Sequence, residues 1–477
     1  MARRWQVLLI TSTAVLMTFL DVTIVNIAFP DLRRSFANTT LAHLSWALNA
    51  YNIVFAAALV PAGRLADRFG RRRLFLAGTA GFLAASVVCG LAGSADILIG
   101  ARAVQALGAA LLVPASLGLL LPEFPPEQRT TATALWTATG AVAAATGPAL
   151  GGVLVTWQSW RWVFFVNLLL GLPVLLWARR LLTEHREEHA TGWPDLPGAA
   201  LLSAAVAALA LAITQGPSWG WRSQGVLGAL AAATLLLPLV VARSARHPTP
   251  VLELSLFRLR RFSTANAALL VFALGFFALL LANVLFLTGA WHYSTVQAGI
   301  ALTPGPLMAA LFAPLGGRLA DRFGHRAVAL AGSLAFASGT LTLALATGSQ
   351  PHYATRFLPA VLLVGTGVGL TIAALGSAAV LDLPSARLAT GSAISASFRQ
   401  IGAVLGIAAL IAILDNAQPP HAVDAFHQAW TLIAVTGTAA GLIGLAMGPA
   451  RHPQPSPTTA PKPPSTSSLA QRATHTP

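Results

Sequence analysis

Fifteen residues of the chain are acidic. Fourteen lie in polar segments or at the edges of apolar runs, and Asp21 alone lies deep inside one. An ionised carboxylate at the centre of a bilayer costs at least about 2.5–3.5 kcal/mol. Asp21 must therefore face a cavity or a partner, and loss of water there favours its neutral, protonated form. Such a group can carry one proton; it can also be an aspartate satisfied by neighbouring polar groups and holding helices together. Arg102, in Arg102-Ala-Val-Gln105-Ala106-Leu-Gly108, is a cation in another apolar run. It cannot shed its proton, so burial forces it onto an acceptor, and Gln105 stands one turn away on the same helix face. Holding backbone carbonyls is the structural alternative. Arg399 and Gln400, within Ser397-Phe-Arg-Gln-Ile-Gly402, form the second such site, and no acid lies inside the last six apolar runs to neutralise it. Arg399 should face water or a ligand, or sit near the cytoplasmic end of its helix. Asn26, five residues after Asp21, either lines the same space or bonds one helix to another. Trp46, Asn49 and Ile53 recur at helical spacing, as a ligand-facing wall or an ordinary packed face would.

The elements that carry these residues follow from composition. Of 477 residues, 9% are charged and 56% are hydrophobic, against roughly 25% charged in a soluble protein; mean hydropathy is +0.70. A soluble enzyme, a disordered protein and a secreted disulfide scaffold are excluded. What remains is an all-α integral membrane protein. A helix needs about 20 apolar residues to cross a bilayer core. Fourteen stretches qualify: about 6–28, 44–62, 74–93, 96–121, 130–155, 161–180, 196–214, 225–242, 263–287, 295–316, 327–347, 354–377, 390–414 and 425–448. The first follows Arg3 and Arg4 as a signal peptide would, but it lacks a convincing cleavage site and contains Asp21.

The net charge of +15 comes from 29 Arg and Lys462, scattered in short clusters between apolar runs. That is the pattern of membrane loops, so no nucleic-acid partner is expected. If the N-terminus is cytoplasmic, cytoplasmic segments hold 23 Lys and Arg and the outer ones hold five: Arg33, Arg34, Arg161, Arg222 and Arg356. The positive-inside bias then places both termini in the cytoplasm of a multi-pass cell (inner) membrane protein. The single cysteine, Cys89, allows no internal disulfide, and the 11 His form no ligand-spaced cluster; no metal and no cofactor are expected. No Gly-x-x-x-x-Gly-Lys-Ser/Thr loop is present, which argues against ATP hydrolysis, and nothing marks an enzyme.

Gly63-Arg-Leu-Ala-Asp-Arg-Phe-Gly70 recurs letter for letter at Gly317–Gly324, an offset of 254 residues. Each copy directly follows the second span of a set, so the chain reads as two homologous six-helix halves, 1–181 and 258–449. The surplus length is a two-helix insert in 182–257, which preserves the parallel orientation of the halves. From Arg451 onward 16 of 27 residues are Pro, Ser or Thr, so 450–477 reads as a disordered cytoplasmic tail.

Gly63-Arg-Leu-Ala-Asp67-Arg68-Phe-Gly70-Arg71-Arg-Arg resembles the signature loop of the major facilitator superfamily. Three further segments resemble its fourteen-span drug:proton antiporter branch: Leu20-Asp21-Val-Thr-Ile-Val-Asn26-Ile-Ala-Phe-Pro30, Gly140-Ala-Val-Ala-Ala-Ala-Thr-Gly147-Pro148-Ala-Leu-Gly151-Gly152, and Trp160-Arg161-Trp162-Val-Phe-Phe-Val-Asn167. The resemblance covers about residues 5–449. It implies two halves around a central cavity, rocking to expose it alternately, with Asp21 as the proton-coupling acid and Arg102 biasing its protonation. Ala106 stands where the family usually has Gly, which shifts or tightens that helix contact. Asn26, Trp46, Asn49, Gln105, Arg399 and Gln400 are the candidate cavity lining.

Gly140, Gly147, Pro148, Gly151 and Gly152 by themselves describe only a bent, closely packed helix. The resemblance implies that this bend marks exporters and seals the cavity against proton leak. Gly63, Asp67, Arg68, Gly70 and Arg71 are the candidate conformational latch, its ion pairs made and broken as the halves rock, with Asp321 and Arg322 as the pseudo-symmetric copy; membrane topology alone would also account for these arginines. The expected protein is a monomeric, proton-coupled exporter of small amphipathic molecules in a lipid bilayer. A dedicated exporter of one metabolite or antibiotic on the same scaffold is the nearer alternative, and a non-transporting membrane receptor the remoter one.

Overall fold

A computed structural model describes residues 2–125, 128–184, 192–384, 387–415 and 422–448. The Pro/Ser/Thr-rich tail lies outside the described residues. Among them there are sixteen α-helices and no strand: α1 (Arg3–Ser35), α2 (Leu41–Leu44), α3 (Trp46–Phe69), α4 (Arg71–Leu91), α5 (Ala95–Leu120), α6 (Arg129–Trp157), α7 (Trp162–Leu181), α8 (Leu196–Trp219), α9 (Gln224–Arg246), α10 (Arg260–Gly289), α11 (Thr295–Leu302), α12 (Pro304–Phe323), α13 (His325–Ala346), α14 (Leu358–Val380), α15 (Leu388–Leu414) and α16 (Ala422–Leu445). Fourteen segments are long and apolar enough to cross a membrane, α2 with α3 and α11 with α12 each forming one of them. Side-chain oxygens mark several starts: Ser94, Asp195 and Ser223 accept from the backbone N–H three residues on, and Ser294 and Gln297 form a capping box at α11.

One local expectation is corrected. The Gly63–Gly70 octapeptide is not a loop. Residues 63–69 are the last two turns of α3, and Gly70 N–H still donates to Ala66 C=O at 3.0 Å. Charged residues end an apolar run without ending a helix, and neither Pro nor Gly occurs between Arg64 and Phe69. Gly70 takes φ 109°, which turns the chain straight into α4, so Asp67 lies in the last turn of α3. The second copy behaves alike, with Gly324 at φ 89° between α12 and α13. The tenth span is present as expected, as Thr295–Phe323, with the division between α11 and α12 falling at Thr303, just before Pro304. A proline at a first helical position starts a new helix readily and extends an old one poorly.

In the first half α1 packs on α6, α3 on α5 and α4 on α5; in the second, α10 packs on α15, α12 on α14 and α13 on α14. The same pairings therefore occur twice. Close approach depends on glycine: a Cβ on Gly78 of α4 would lie 2.8 Å from the Gly108 carbonyl of α5, and the reverse substitution meets the Gly78 carbonyl at 2.8 Å. The two sets of helices meet along α3–α15 and along α6–α11. The pair α8–α9 is pinned by Arg243 to Asp195 at 2.6 Å, and α8 lies against α3 and α15. Helix α9 turns Leu227, Leu235, Leu237, Leu239 and Val241 outward, as a lipid-facing helix must.

Candidate functional site

Asp21 lies mid-way along α1 and is completely buried. Its Oδ2 is ion-paired with Arg102 Nη1 of α5. Its Oδ1 accepts from Gln105 Nε2 of α5 at 2.9 Å and from Asn167 Nδ2 of α7 at 2.8 Å. Ser86 of α4 ties the two amides together, with Oγ 2.8 Å from Gln105 Nε2 and 3.3 Å from Asn167 Nδ2. Arg102 spreads its remaining donors: Nη1 also reaches Gln105 Oε1 at 2.7 Å, and Nε reaches the Ala47 carbonyl of α3 at 3.0 Å. Its guanidinium carbon stacks 4.2 Å from the centre of the Tyr51 ring. Five helices of the first half converge on one carboxylate.

The structure thus brings Asp21, Arg102 and Gln105 together, with Gln105 inside the cluster and not on a cavity wall. A charge in a low-dielectric interior is tolerated only with such pairing. In this conformation the arrangement matches the bonded, helix-tying alternative: both carboxylate oxygens are occupied and neither is exposed. Ser86, Asn167, Tyr51 and the Ala47 carbonyl were missed as site groups. Ser86 and Asn167 had a signal, being polar residues within apolar spans; a backbone carbonyl has none.

Asn26 does not join the cluster. Five residues turn it to another face of α1, where Nδ2 donates to Val22 C=O at 2.8 Å and Oδ1 is buried without a partner. Both amide atoms of Asn49 are likewise buried without a partner among the described residues. Trp46 is partly buried and packs against an apolar cluster drawn from α3, α8, α9 and α15, so it serves helix packing here. Arg399 and Gln400 are half-buried on α15.

In the candidate latch, Arg71 Nη2 and Nε bond Asp67 Oδ1 at 2.9 and 3.1 Å, and Nη1 donates to the Gly118 carbonyl at 3.1 Å. All three groups belong to the first half. Arg68 donates to the Gly192 carbonyl at 2.8 Å and lies 4.3 Å from the Trp193 ring centre, which links the motif to the segment leading into α8. Asp321 and Arg322 are exposed, and no ion pair joins them to a described residue. The asymmetry has a residue-level cause: the position of Arg71 is taken by His325 in the second copy.

The glycines of α6 face two ways. Gly140 lies against Phe19, Gly147 against Thr23 and Gly151 against Ile27, all on α1. Gly152 instead faces α11, where a Cβ would come 2.7 Å from the Thr295 carbonyl, and a Cβ on Gly299 would come 2.3 Å from the Pro148 carbonyl. Thr295 Oγ1 also donates to Asp31 Oδ2 of α1 at 2.8 Å. At this end, opposite Gly70 and Gly324, the two sets of helices are in contact.

The family model described as Major Facilitator Superfamily matches residues 11–407 and again 265–474. The chain belongs to the major facilitator superfamily. It is 34% identical over 408 residues to the multidrug resistance protein Stp of Mycobacterium tuberculosis, covering 85% of this chain and 75% of that protein. It is 32% identical over 433 residues to the tetracenomycin C resistance and export protein of Streptomyces glaucescens, covering 90% and 78%. A crystal structure of the peptide transporter POT in complex with sulfate superposes with a TM-score of 0.63 at 16% identity, covering 91% of this chain and 93% of that one, which establishes the shared fold. As a member of this superfamily the chain is a multi-pass membrane transporter of small molecules and not an enzyme.

Proposed function

We propose that this transporter exports small amphipathic molecules in exchange for protons, by alternating access between halves 1–181 and 258–449, with 182–257 as an inserted helix pair. The observation that carries the reading is the one between Asp21 and Arg102: the only acid deep in a span is ion-paired with a cation that cannot release it by deprotonating. A proton arriving on Asp21 cancels that attraction and frees Arg102 from α1. The energies of α1 against α5 then differ between the protonated and ionised forms, and that difference lets a proton favour one arrangement of the halves. Gln105 and Asn167 hold the carboxyl in both forms. The contact of Gly152 and Pro148 with α11 closes one entrance, and we assign it to the outer face, with both termini and the Gly70 end in the cytoplasm. The relatives named for drug and antibiotic resistance, at 32–34% identity, support export as the direction.

The experiment is a proton-release titration. Purified protein in weakly buffered detergent solution receives a fluorescent amphiphile while a pH indicator is followed. Wild type should release or take up protons on binding, and Asp21→Asn should not. Equal proton movement from both would remove Asp21 from the coupling role. A transporter dedicated to one antibiotic is the second reading, favoured by a relative named for a single compound, tetracenomycin C; a compound screen that finds one substrate only would select it.

A further inference from the structure

The two arginines inside apolar spans are treated in opposite ways. Arg102 is fully buried and bonded to Asp21, Gln105 and the Ala47 carbonyl. Arg399 stands about 16 Å from the start of α15 at the helical rise of 1.5 Å per residue, well inside its span. Among the described residues it has no hydrogen bond and no ion pair, and no carboxylate lies close enough to offset its charge. Two acids of this half are committed elsewhere: Asp382 to Arg261 at 3.1 Å and Glu253 to Arg387 at 3.2 Å. The guanidinium of Arg399 is also not among the buried atoms that lack a partner, so its nitrogens reach accessible space. It carries a permanent charge that no described residue answers.

Two further groups point to a ligand at that level. Ser395, Arg399, Gly402 and Gly406 share one face of α15. A Cβ on Gly402 would meet the Leu270 carbonyl and one on Gly406 the Leu274 carbonyl of α10, so the two helices run in step along this seam. One turn nearer their starts, Ser395 Oγ on α15 and Asn266 Oδ1 on α10 are both buried and both without a partner among the described residues. Phe398 and Phe257 supply an adjoining apolar surface, their ring centres 5.6 Å apart.

We propose that Arg399, with Ser395 and Asn266, is the recognition site for the anionic group of an amphipathic substrate, a carboxylate or ionised phenol on an apolar body. This rests on the transport reading above and names its substrate class. A guanidinium fork takes a carboxylate through two parallel N–H bonds; Ser395 O–H is a further donor, and Asn266 Oδ1 accepts an N–H that the carboxylate leaves over. The apolar body lies against the phenylalanines. An anionic lipid headgroup offers the same chemistry, and the test separates the two sources.

The full chain in phosphatidylcholine nanodiscs is titrated with pyrenebutyrate, pyrenebutanol and pyrenebutylammonium, read by energy transfer from tryptophan and corrected with empty discs. Wild type should prefer pyrenebutyrate to the other two by about tenfold or more, the effect of charge-assisted hydrogen bonds. Arg399→Gln should abolish that preference, and Arg399→Lys, which keeps the charge but not the fork, should retain only part of it. If Arg399→Gln does not assemble, Ser395→Ala carries the test with a several-fold loss. Absence of anion preference in wild type, or its survival in Arg399→Gln or, where that variant does not assemble, in Ser395→Ala, overturns the proposal. Loss of pyrenebutyrate binding when phosphatidylglycerol is added to the discs overturns the substrate assignment. Binding at equilibrium needs no gradient, so these outcomes are independent of whether protons drive transport.

Discussion

Three side chains from two helices hold Asp21, and their different chemistry decides what each substitution does. Arg102→Gln leaves an ionised carboxylate buried without its counter-charge, a loss of about 3–5 kcal/mol. The expected outcome is a markedly lower melting temperature in detergent. The double variant Asp21→Asn with Arg102→Gln removes both charges and should recover most of that stability while remaining unable to use a proton gradient; a double variant no more stable than Arg102→Gln would show that the pair is not the source of the loss. Asn167→Ala deletes a neutral donor and should cost about 1–3 kcal/mol, measured in the same melt. Asp21 and Arg102 were legible in the sequence because a charge inside an apolar run is expensive wherever it lies. Their direct pairing was not, since it depends on how α1 packs against α5. Asn167 was visible within a motif, but an uncharged amide in a span carries too little cost to announce a role.

Helix cores were legible because each needs a lipid-length apolar run, and all fourteen expected spans have a counterpart among the helices. Helix ends were not. Apolar runs report where lipid begins and ends, while backbone hydrogen bonding runs on, as at 63–69 of α3; Pro304 marked the break between α11 and α12, but an uninterrupted hydropathy concealed it. The contact of α6 with α11 gives a prediction at this scale. Gly152→Val would force side-chain atoms against Thr295 and Val296 and should hold that entrance apart. Spin labels on cysteines placed at Gln158 and Ile300 should report a larger long-distance population in the variant. An unchanged distance distribution would show that the entrance adapts to the added bulk.

The repeated pairings of helices around α3–α15 and α6–α11 make the whole molecule a pair of similar lobes in which the chemistry is unevenly shared. The first carries the only acid deep in a span and a bonded arginine; the second carries an arginine with no partner among the described residues. The duplicated octapeptide made the lobes legible from sequence, but their asymmetry needed positions beyond it, such as His325 in place of Arg71. The proposed orientation is testable directly. Arg222→Cys should react with an impermeant maleimide in intact cells, and Arg258→Cys only after lysis; the reverse pattern would invert the molecule. Coupling is tested most directly by reconstituting wild type and Asp21→Asn in proteoliposomes with an imposed pH gradient and a fluorescent amphiphile that the wild type carries. Wild type should concentrate the amphiphile against its gradient, whereas Asp21→Asn should exchange it across the membrane without concentrating it; accumulation by Asp21→Asn equal to wild type would contradict a carboxylate-coupled mechanism.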